Sequence, residues 1–566
     1  MTDETRLQVR PKDGDSSLSI SKVRSVLIAR GRRDAANLAG PSALKPTDLL
    51  SEIRRRAEEG DAEGQFDLGE QYDSGNRVQQ DHAAAAYWYR KAADQGHDEA
   101  QFNLGCMYDE GQGVPQDFAE AVRWYRKAAD QGDARAQNNL GCMYYEGEGV
   151  PQDYAEAVRW YREAADQGHA FAQYNLGFLY YNGQALPQDY AEAVRWYRKA
   201  AVQGDARAQN NLGLMYARGE GVPQDYTQAA RWFRLAADQG FAKAQFNLGL
   251  IYYKGDEVPQ DYAEAAHWFR LAADQGDADA QFNVGVMYYN GEEVPQECAE
   301  AAHWYRLAAD QRDADAQFRL GLMYREGQGV PQDDAEAVRW YRKAADQGHA
   351  RAQFNLGVSY DKGKGVPQDY AEAVRWWRKA ADQGEASAEF RLGVSHDKGE
   401  GVPQDYAEAI RWYRKASDQG YARAQFKLGL MYCEGGGVPQ DYAEGARWFR
   451  LAAEQGHVDA QFNLGVLYDN GQGVPQDYAQ AVRWYRRAAD RGDAQAQVNL
   501  GVMYDEGHGV AQDFVQAHMW FSLAAAGGDA KGSQSRSMVA GKMTPPEIAE
   551  AQRLARNWKP IRGADE

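Results

Sequence analysis

The sequence has 566 residues, of which 44% are hydrophobic, and it carries a formal net charge of −19. A chain of this length exceeds what one hydrophobic core normally organises, so we expect several cores or a repeated one. The large negative charge repels phosphate backbones and argues against general nucleic-acid binding.

Residues 1–45 contain nine Lys/Arg against five Asp/Glu and few aromatic residues, which predicts a flexible basic tail. An alternative for Leu18 to Leu38 is a basic amphipathic helix that docks on a partner or on a membrane surface. Ser19 to Lys22 matches the S-x-x-K motif of serine β-lactamases, but the chain has neither S-D-N nor K-T-G. We therefore interpret this match as chance.

Residues 46–60 resemble half of the unit that follows, with an apolar stripe at Leu49, Leu50 and Ile53, and they predict an N-terminal capping half-repeat. From residue 61 to residue 528, a unit of 36 residues then recurs thirteen times without an insertion. A fixed period of this length is the signature of a stacked array, because each unit needs a neighbour to cover its apolar face. We number the repeats 1 to 13.

The copy from Asp133 to Gly168 serves to number the positions of the unit from 1 to 36. Apolar residues recur at helical spacing over positions 2 to 14, which predicts a first helix, helix A, that ends at Gly147. Asp153 and Glu156 have the spacing of a capping box and predict a second helix, helix B. The apolar stripe of helix B is Tyr154, Ala157, Trp160, Tyr161 and Ala164. One tryptophan per copy beside small alanines favours a stacking core.

After the last full unit, residues 529–566 predict a degenerate repeat followed by a capping helix from Glu547 to Trp558. Two irregular units also stand out. Arg312 replaces the closing glycine of repeat 7, and Ser395 and His396 replace Met and Tyr in repeat 10. The arginine at position 30, present in twelve units, is expected to pair with a neighbouring aspartate.

The stretch Ala134 to Trp160 follows the pattern A-x-A-Q-x-x-L-G-x-x-Y-x-x-G-x-G-V-P-Q-D-Y-x-x-A-x-x-W. This pattern resembles the Sel-one-like repeat, a relative of the tetratricopeptide repeat. The resemblance implies an all-α, right-handed α-α superhelical solenoid of stacked helical hairpins. It also implies an adaptor or scaffold that assembles signalling or regulatory complexes, with no catalytic activity.

One branch of this family is secreted, staples each hairpin with a disulfide and has carried a β-lactamase label. The present chain departs from that branch, because it has four cysteines and no unit contains two of them. Cys106 and Cys142 occupy position 10, where other copies have apolar residues, so we interpret them as apolar filler. No signal-peptide pattern and no membrane-spanning run is evident, and we expect a cytoplasmic protein.

Positions 3, 6, 10, 13 and 14 of helix A vary among copies and are predicted to point away from the core stripe. In the tetratricopeptide relative, the corresponding columns line the concave groove, so the resemblance implies recognition there. Cations in these columns concentrate in repeats 5–6 and 8–11, with tyrosines nearby. The predicted partner-binding residues are Arg135, Asn138, Tyr145, Tyr181, Arg207, Asn210, Arg218, Lys243, Tyr253, Lys254, Tyr289, Arg325, Arg351, Lys362, Lys398 and Arg423.

Such a groove suits an extended protein segment with acidic side chains or a free carboxylate. Scattered surface charge is the alternative explanation, since Asp279, Asp315 and Asp459 share position 3 with the cations. The pattern predicts no cofactor, and without an i, i+4 histidine pair it predicts no metal site. Two other functions stay open: a structural spacer or self-assembling array, and, more remotely, a β-lactamase-type hydrolase.

Overall fold

The computed structural model describes residues 46–292 and 296–561 of the chain. The predicted basic tail, including the Ser19 to Lys22 motif, lies outside the described residues. Within them every regular element is an α-helix, 29 in all, which confirms the predicted all-α class.

Helix A and helix B alternate through the thirteen repeats. Helix A of repeats 1 to 13 spans Ala62–Ser74, Asp98–Glu110, Ala134–Glu146, Ala170–Asn182, Ala206–Arg218, Ala242–Lys254, Ala278–Asn290, Ala314–Glu326, Ala350–Lys362, Ala386–Lys398, Ala422–Glu434, Val458–Asn470 and Ala494–Glu506. Helix B spans His82–Asp94, Phe118–Asp130, Tyr154–Asp166, Tyr190–Val202, Tyr226–Asp238, Tyr262–Asp274, Cys298–Asp310, Asp334–Asp346, Tyr370–Ala381, Tyr406–Asp418, Tyr442–Glu454, Tyr478–Asp490 and Phe514–Ala526. Three helices flank the repeats, at Pro46–Glu58, Ala530–Ala540 and Pro545–Asn557.

The ends of the helices follow from single residues. Gly147 ends helix A of repeat 3 in the left-handed conformation, with φ of 77°, and its N–H donates to the Met143 carbonyl. The Asp153 carboxylate accepts hydrogen bonds from the backbone N–H groups at positions 23 and 24, at 2.9 and 3.1 Å. The Glu156 carboxylate lies 3.6 Å from Arg159. The cap at Asp153 is confirmed, but Glu156 is engaged by an arginine one turn further along the helix.

The repeated Leu-Gly pair is explained by close packing between the two helices of a hairpin. A Cβ atom at Gly141 would lie 2.7 Å from the Cδ1 atom of Tyr161, which is shorter than any real carbon contact. Trp160 is buried in a cluster with Phe102 of the preceding repeat and Leu140 of its own. The tryptophan therefore joins successive hairpins, as the sequence predicts.

Polar side chains add two further links between repeats. The Gln137 amide donates to the Ala129 carbonyl of the preceding repeat at 3.2 Å. The arginine at position 30 donates to the tyrosine hydroxyl at position 12 of the next repeat, for example Arg162 to Tyr180 at 2.8 Å. The expectation that this arginine pairs with an aspartate is therefore wrong for the nine units where the tyrosine bond forms. Arg312 has φ of 71°, as expected for a residue in the glycine position.

The chain divides into two compact units, which we call the N-terminal and C-terminal units. The N-terminal unit contains the described helices up to Met287, and the C-terminal unit contains Tyr288–Asn290 and the chain from Glu297 onward. In the C-terminal unit, Trp558 packs edge-on against Trp520 with ring centroids 6.4 Å apart. The capping role of both flanking segments stays a prediction. Among the described residues, no helix combines the length and apolar character that crossing a bilayer requires.

Candidate partner-binding face

Positions 3, 7, 10 and 14 of helix A are three or four residues apart and lie on one side of the helix. We call the surface that they form in successive repeats the helix A face. The predicted residues at positions 6 and 13 flank it. Their surroundings differ strongly between the two units.

Position 6 does not face outward. Asn138 and Asn210 are 1% and 4% exposed, so their prediction as exposed binding residues is wrong. Their amide oxygens accept hydrogen bonds from the next repeat, Asn138 from Asn175 at 3.2 Å and Asn210 from Asn247 at 2.9 Å. A helical wheel centred on one core residue misses this burial, because helix A also packs against the neighbouring repeat. Cys106 and Cys142 at position 10 are buried for the same reason.

The two predicted arginines at position 3 of the N-terminal unit already have partners. Arg135 and Arg207 each lie 2.6 Å from the aspartate that caps their own helix, Asp133 and Asp205 respectively. The Arg207 side chain is only 12% exposed, and its guanidinium carbon lies 4.2 Å from the ring centroid of Tyr174. These arginines therefore stabilise the stack and present little free charge.

Three of the predicted tyrosines at position 13 donate their hydroxyl to the side chain at position 16 of the next repeat. The pairs are Tyr145 with Gln184 at 2.7 Å, Tyr181 with Glu220 at 3.0 Å and Tyr289 with Gln328 at 3.0 Å. Arg218 donates to the Tyr181 hydroxyl at 3.1 Å. Tyr253 packs against Tyr262 with ring centroids 5.2 Å apart. The tyrosines are half-buried and act mainly as links between repeats.

The remaining cations of the N-terminal unit are Lys243 and Lys254, and both are exposed. In the C-terminal unit, Arg325 is engaged by Asn355 at 3.3 Å and by Glu326 at 2.6 Å. Lys398 lies 3.7 Å from Glu400. The two ion pairs are exposed and contribute little to stability.

Arg351, Lys362 and Arg423 are the predicted residues that remain available. All three are exposed, and the described part of the chain provides no ion pair for any of them. They lie on helix A of repeats 9 and 11, within the C-terminal unit. The structure therefore places three free cations of the predicted set on one helix A face.

Position 7 was not among the predicted positions, but it carries further cations. This position is asparagine in repeats 2 to 7, where the side chains of Asn103, Asn139, Asn175 and Asn283 are buried. Cations replace it in repeats 8, 10 and 11. They are Arg319, Arg391 and Lys427, all half-buried. The break in the asparagine column was the sequence signal that could have identified them.

Arg319 is the most unusual of these cations. Burial lowers the pKa of its guanidinium, and the nearby Arg351 lowers it further against the opposing effect of Tyr305. The described residues place no carboxylate within ion-pair distance of it, although Asp315 lies one turn away. Asp315 is itself engaged by the His349 ring at 2.9 Å. Arg319 is thus a partly desolvated charge without a counter-ion on the helix A face.

Apolar side chains lie one helical turn beyond the cations of position 7 in the C-terminal unit. Position 10 is Leu322, Val358, Val394 and Leu430 in repeats 8 to 11, and each is half-buried. In the N-terminal unit, Cys106, Cys142, Leu250 and Val286 at the same position are buried, whereas Phe178 and Leu214 are half-buried. The helix A face of repeats 8 to 11 therefore offers apolar surface as well as positive charge. Among the described residues, no cluster of side chains could hold a metal ion.

The family model for the Sel1 repeat matches thirteen consecutive segments of this chain, from residues 62–97 to residues 494–529. The crystal structure of a protective antigen from uropathogenic Escherichia coli, which displays an SLR fold, is 39% identical. The match covers 77% of this chain and 94% of that chain, with a TM-score of 0.70.

A Sel1 repeat protein from Oxalobacter formigenes is 37% identical over 55% of this chain and 93% of that chain, with a TM-score of 0.45. Among curated proteins, none is significantly similar. The predicted resemblance is confirmed by the thirteen matched segments and by the identity to the E. coli antigen. The chain belongs to the Sel1 repeat family, and its fold is the all-α solenoid of helical hairpins that the family shares.

Proposed function

We propose that this protein is a non-catalytic scaffold that binds an extended acidic segment of a protein partner along the helix A face of repeats 8 to 11. The observation that carries the proposal is the unpaired, half-buried Arg319. A buried cation without a counter-ion costs stability, and a carboxylate supplied by a partner would remove that cost. Arginine suits this role because its planar guanidinium holds a carboxylate through two parallel hydrogen bonds.

The other cations extend the site along the array. Arg351 and Arg423 lie at position 3, and Arg391 and Lys427 lie at position 7. Each of repeats 8 to 11 thus contributes at least one cation without an ion pair among the described residues. A segment that runs across the helices would meet one charge per repeat, so several acidic side chains, or acidic side chains and a terminal carboxylate, would bind together.

The apolar column at position 10 adds a second requirement. Val358 and Val394 lie one turn beyond position 7 on the same side of the helix and are only half-buried, so they leave apolar surface for the partner to cover. Burial of apolar surface contributes roughly 25 cal/mol per Å². We therefore infer a partner segment in which apolar residues are interspersed with acidic ones.

We also propose that the scaffold works in a reducing compartment such as the cytoplasm. The four cysteines are free thiols, and two of them, Cys106 and Cys142, are buried in the repeat cores. A thiol in this position contributes as a small apolar group. The placement supports a role in packing.

The test measures binding of a fluorescent peptide that alternates glutamate and leucine, by fluorescence anisotropy. A triple variant, Arg319→Gln with Arg391→Gln and Lys427→Gln, is compared with the wild type. The matched control is Arg195→Gln with Arg339→Gln and Arg375→Gln, which removes the same charge from helix B arginines that pair with glutamates. Circular dichroism checks that all three proteins are equally helical.

The helix A triple variant is expected to bind the peptide at least about tenfold more weakly, and the control variant is expected to bind as the wild type does. The peptide with glutamine in place of glutamate should bind none of the three proteins. Equal weakening in both variants would mean that general charge governs binding. Absence of binding to the wild type would favour the structural spacer.

A further inference from the structure

A second candidate site lies on the opposite helices, between helix B of repeat 11 and helix B of repeat 12. A cavity of about 560 Å³ opens there, lined by three arginines, Arg450, Arg483 and Arg487, around the Trp484 indole. Glu454 and Asp477 also line it. We call this cavity the helix B groove. It shares no residue with the helix A face, so each site can be tested by itself.

The charge of Arg483 is free because of one substitution. In seven other repeats the arginine at position 27 pairs with a glutamate at position 24, for example Arg339 with Glu336 at 2.8 Å. Repeat 12 has Gln480 at position 24 instead. Within the described chain Arg483 consequently forms no ion pair and no hydrogen bond. Its guanidinium remains available to a ligand.

A second substitution in the same helix adds another guanidinium. Position 31 is Arg487 in repeat 12, where five other repeats have a lysine over the tryptophan ring. The guanidinium carbon of Arg487 lies 4.7 Å from the Trp484 ring centroid. Repeat 5 also has glutamine at position 24, but its position 31 is Leu235. Repeat 12 therefore combines two changes that each favour an anion.

The third arginine is positioned by a hydrogen bond between repeats 11 and 12. Arg450 donates to the Tyr468 hydroxyl at 2.7 Å through one of its five N–H groups. Its remaining N–H groups have no other acceptor among the residues that the structure describes. Three guanidiniums around one cavity are the arrangement that recognises a phosphate monoester, because each can donate two parallel hydrogen bonds to its oxygens.

The two carboxylates of the groove argue for a phosphorylated side chain over a free phosphate ion. The Asp477 carboxylate accepts the Gln480 backbone N–H at 3.0 Å and so remains fixed at the edge. Glu454 is exposed at the end of helix B of repeat 11. Both repel a bare dianion, but they attract a basic residue beside the phosphorylated one. The cavity is also much larger than a phosphate group.

We propose that the helix B groove binds a phosphorylated serine or threonine side chain of a protein partner, with a basic residue next to it in the partner sequence. Arg483 and Arg487 hold the phosphate from repeat 12, and Arg450 holds it from repeat 11. Glu454 and Asp477 select the basic neighbour.

The test titrates the full chain into the acetylated and amidated peptide Gly-phosphoserine-Lys-Gly and follows the ³¹P resonance by NMR. The unphosphorylated peptide, followed by its proton resonances, and inorganic phosphate are the companion probes. The decisive variant is Q480E, which restores the glutamate that other repeats have and therefore keeps the fold. The matched control is Arg411→Gln, which removes a position 27 arginine that is ion-paired in repeat 10.

The phosphopeptide is expected to bind the wild type and the Arg411→Gln variant equally, and to bind Q480E about tenfold more weakly. Inorganic phosphate is expected to bind about tenfold more weakly than the phosphopeptide. The proposal is overturned if Q480E binds the phosphopeptide as the wild type does, or if the unphosphorylated peptide binds equally well. It is also overturned if inorganic phosphate binds as tightly as the phosphopeptide.

Discussion

The helix A faces of the two units are built on the same backbone but differ in whether their charged side chains are paired. In the N-terminal unit, position 7 is asparagine from repeat 2 onward, and Arg135 and Arg207 at position 3 are paired with the aspartates that cap their helices. In the C-terminal unit, Arg319 and Arg391 replace the asparagine without acquiring a carboxylate partner. Position 7 thus links neighbouring repeats in the N-terminal unit and carries half-buried charge in repeats 8 and 10 of the C-terminal unit.

The difference teaches that a cation in a variable column is not by itself a binding residue. Arg207 and Arg351 occupy the same repeat position, yet Arg207 is mostly covered and paired with an aspartate while Arg351 is exposed. What separates them is the residue at position 1. Asp205 accepts the Arg207 guanidinium, whereas His349 caps its helix through Nδ1 and leaves Arg351 without a carboxylate.

The largest effect is expected in the core, and it should be equal in the two units. Trp160→Ala in the N-terminal unit and Trp412→Ala in the C-terminal unit each remove a buried indole and leave a cavity. Each is expected to lower the free energy of unfolding by about 3–5 kcal/mol. Urea denaturation measures the loss. Clearly unequal losses would show that the units differ in their cores as well as on their helix A faces.

The next largest effect on stability is expected at position 3, where Arg207 is paired and Arg351 is not. Arg207→Ala leaves the nearly buried carboxylate of Asp205 without its cation, so the free energy of unfolding should fall by about 1–3 kcal/mol, less than for a fully buried pair. Arg351→Ala removes an exposed side chain, and its effect should be within about 0.5 kcal/mol. Thermal denaturation of both variants gives the two values. Similar losses at both positions would contradict the distinction between stacking and available cations.

A pH effect should distinguish histidine caps from aspartate caps. The Nδ1 atom of His169 accepts the Ala172 N–H at 3.4 Å, and burial lowers the pKa of this imidazole to about 4. As the pH falls, the imidazole takes up a proton in the unfolded state at a higher pH than in the folded state. The contribution of His169 to the free energy of unfolding is therefore complete above its ordinary pKa and is lost as the pH falls from about 6.5 towards 4. Since the ring is only half-buried, we expect a loss of about 1–2 kcal/mol.

The control for this experiment is His169→Asp, which introduces the cap that repeats 3 and 5 have at Asp133 and Asp205. Urea denaturation at pH 7 and pH 4.5 should show a smaller difference in stability for the variant than for the wild type. An unchanged difference would mean that other groups determine the acid sensitivity. His457 has a pKa lowered mainly by burial as well, so His457→Asp repeats the test in the C-terminal unit.

The repeat helices could be predicted closely from the sequence, because each boundary depends on local chemistry. The last helix was predicted less well, since it spans Pro545–Asn557 and not Glu547 to Trp558. Gly147 and Asp153 fix the end of helix A and the start of helix B in repeat 3. The candidate site could be predicted only in part. Arg351 and Arg423 were found as variable cations, but Asn138 was placed on the wrong side, since contacts with the neighbouring repeat do not follow from one helical wheel.

The pairing of charges could not be predicted for a similar reason. Whether Arg135 remains free depends on the position of Asp133 two residues earlier, and at that spacing side chains do not normally meet on a helix. Asp133 is the capping residue, however, and its backbone is extended, which brings the carboxylate to the guanidinium. The half-burial of Arg319 likewise depends on the packing of adjacent repeats, so it cannot be predicted from the sequence of repeat 8 alone.

The smallest predicted effect has the opposite sign to the others. Arg319→Asn restores the asparagine of the other repeats, and burial no longer disfavours a charge at that position. The free energy of unfolding should therefore rise by about 0.5–1 kcal/mol, while binding of the acidic peptide weakens. Thermal denaturation and anisotropy on the same samples measure both quantities. If the variant loses both stability and binding, Arg319 stabilises the stack, as Arg207 does in the N-terminal unit. A gain in stability together with a loss of binding is expected of a residue that serves a partner at a cost to the stability of the fold.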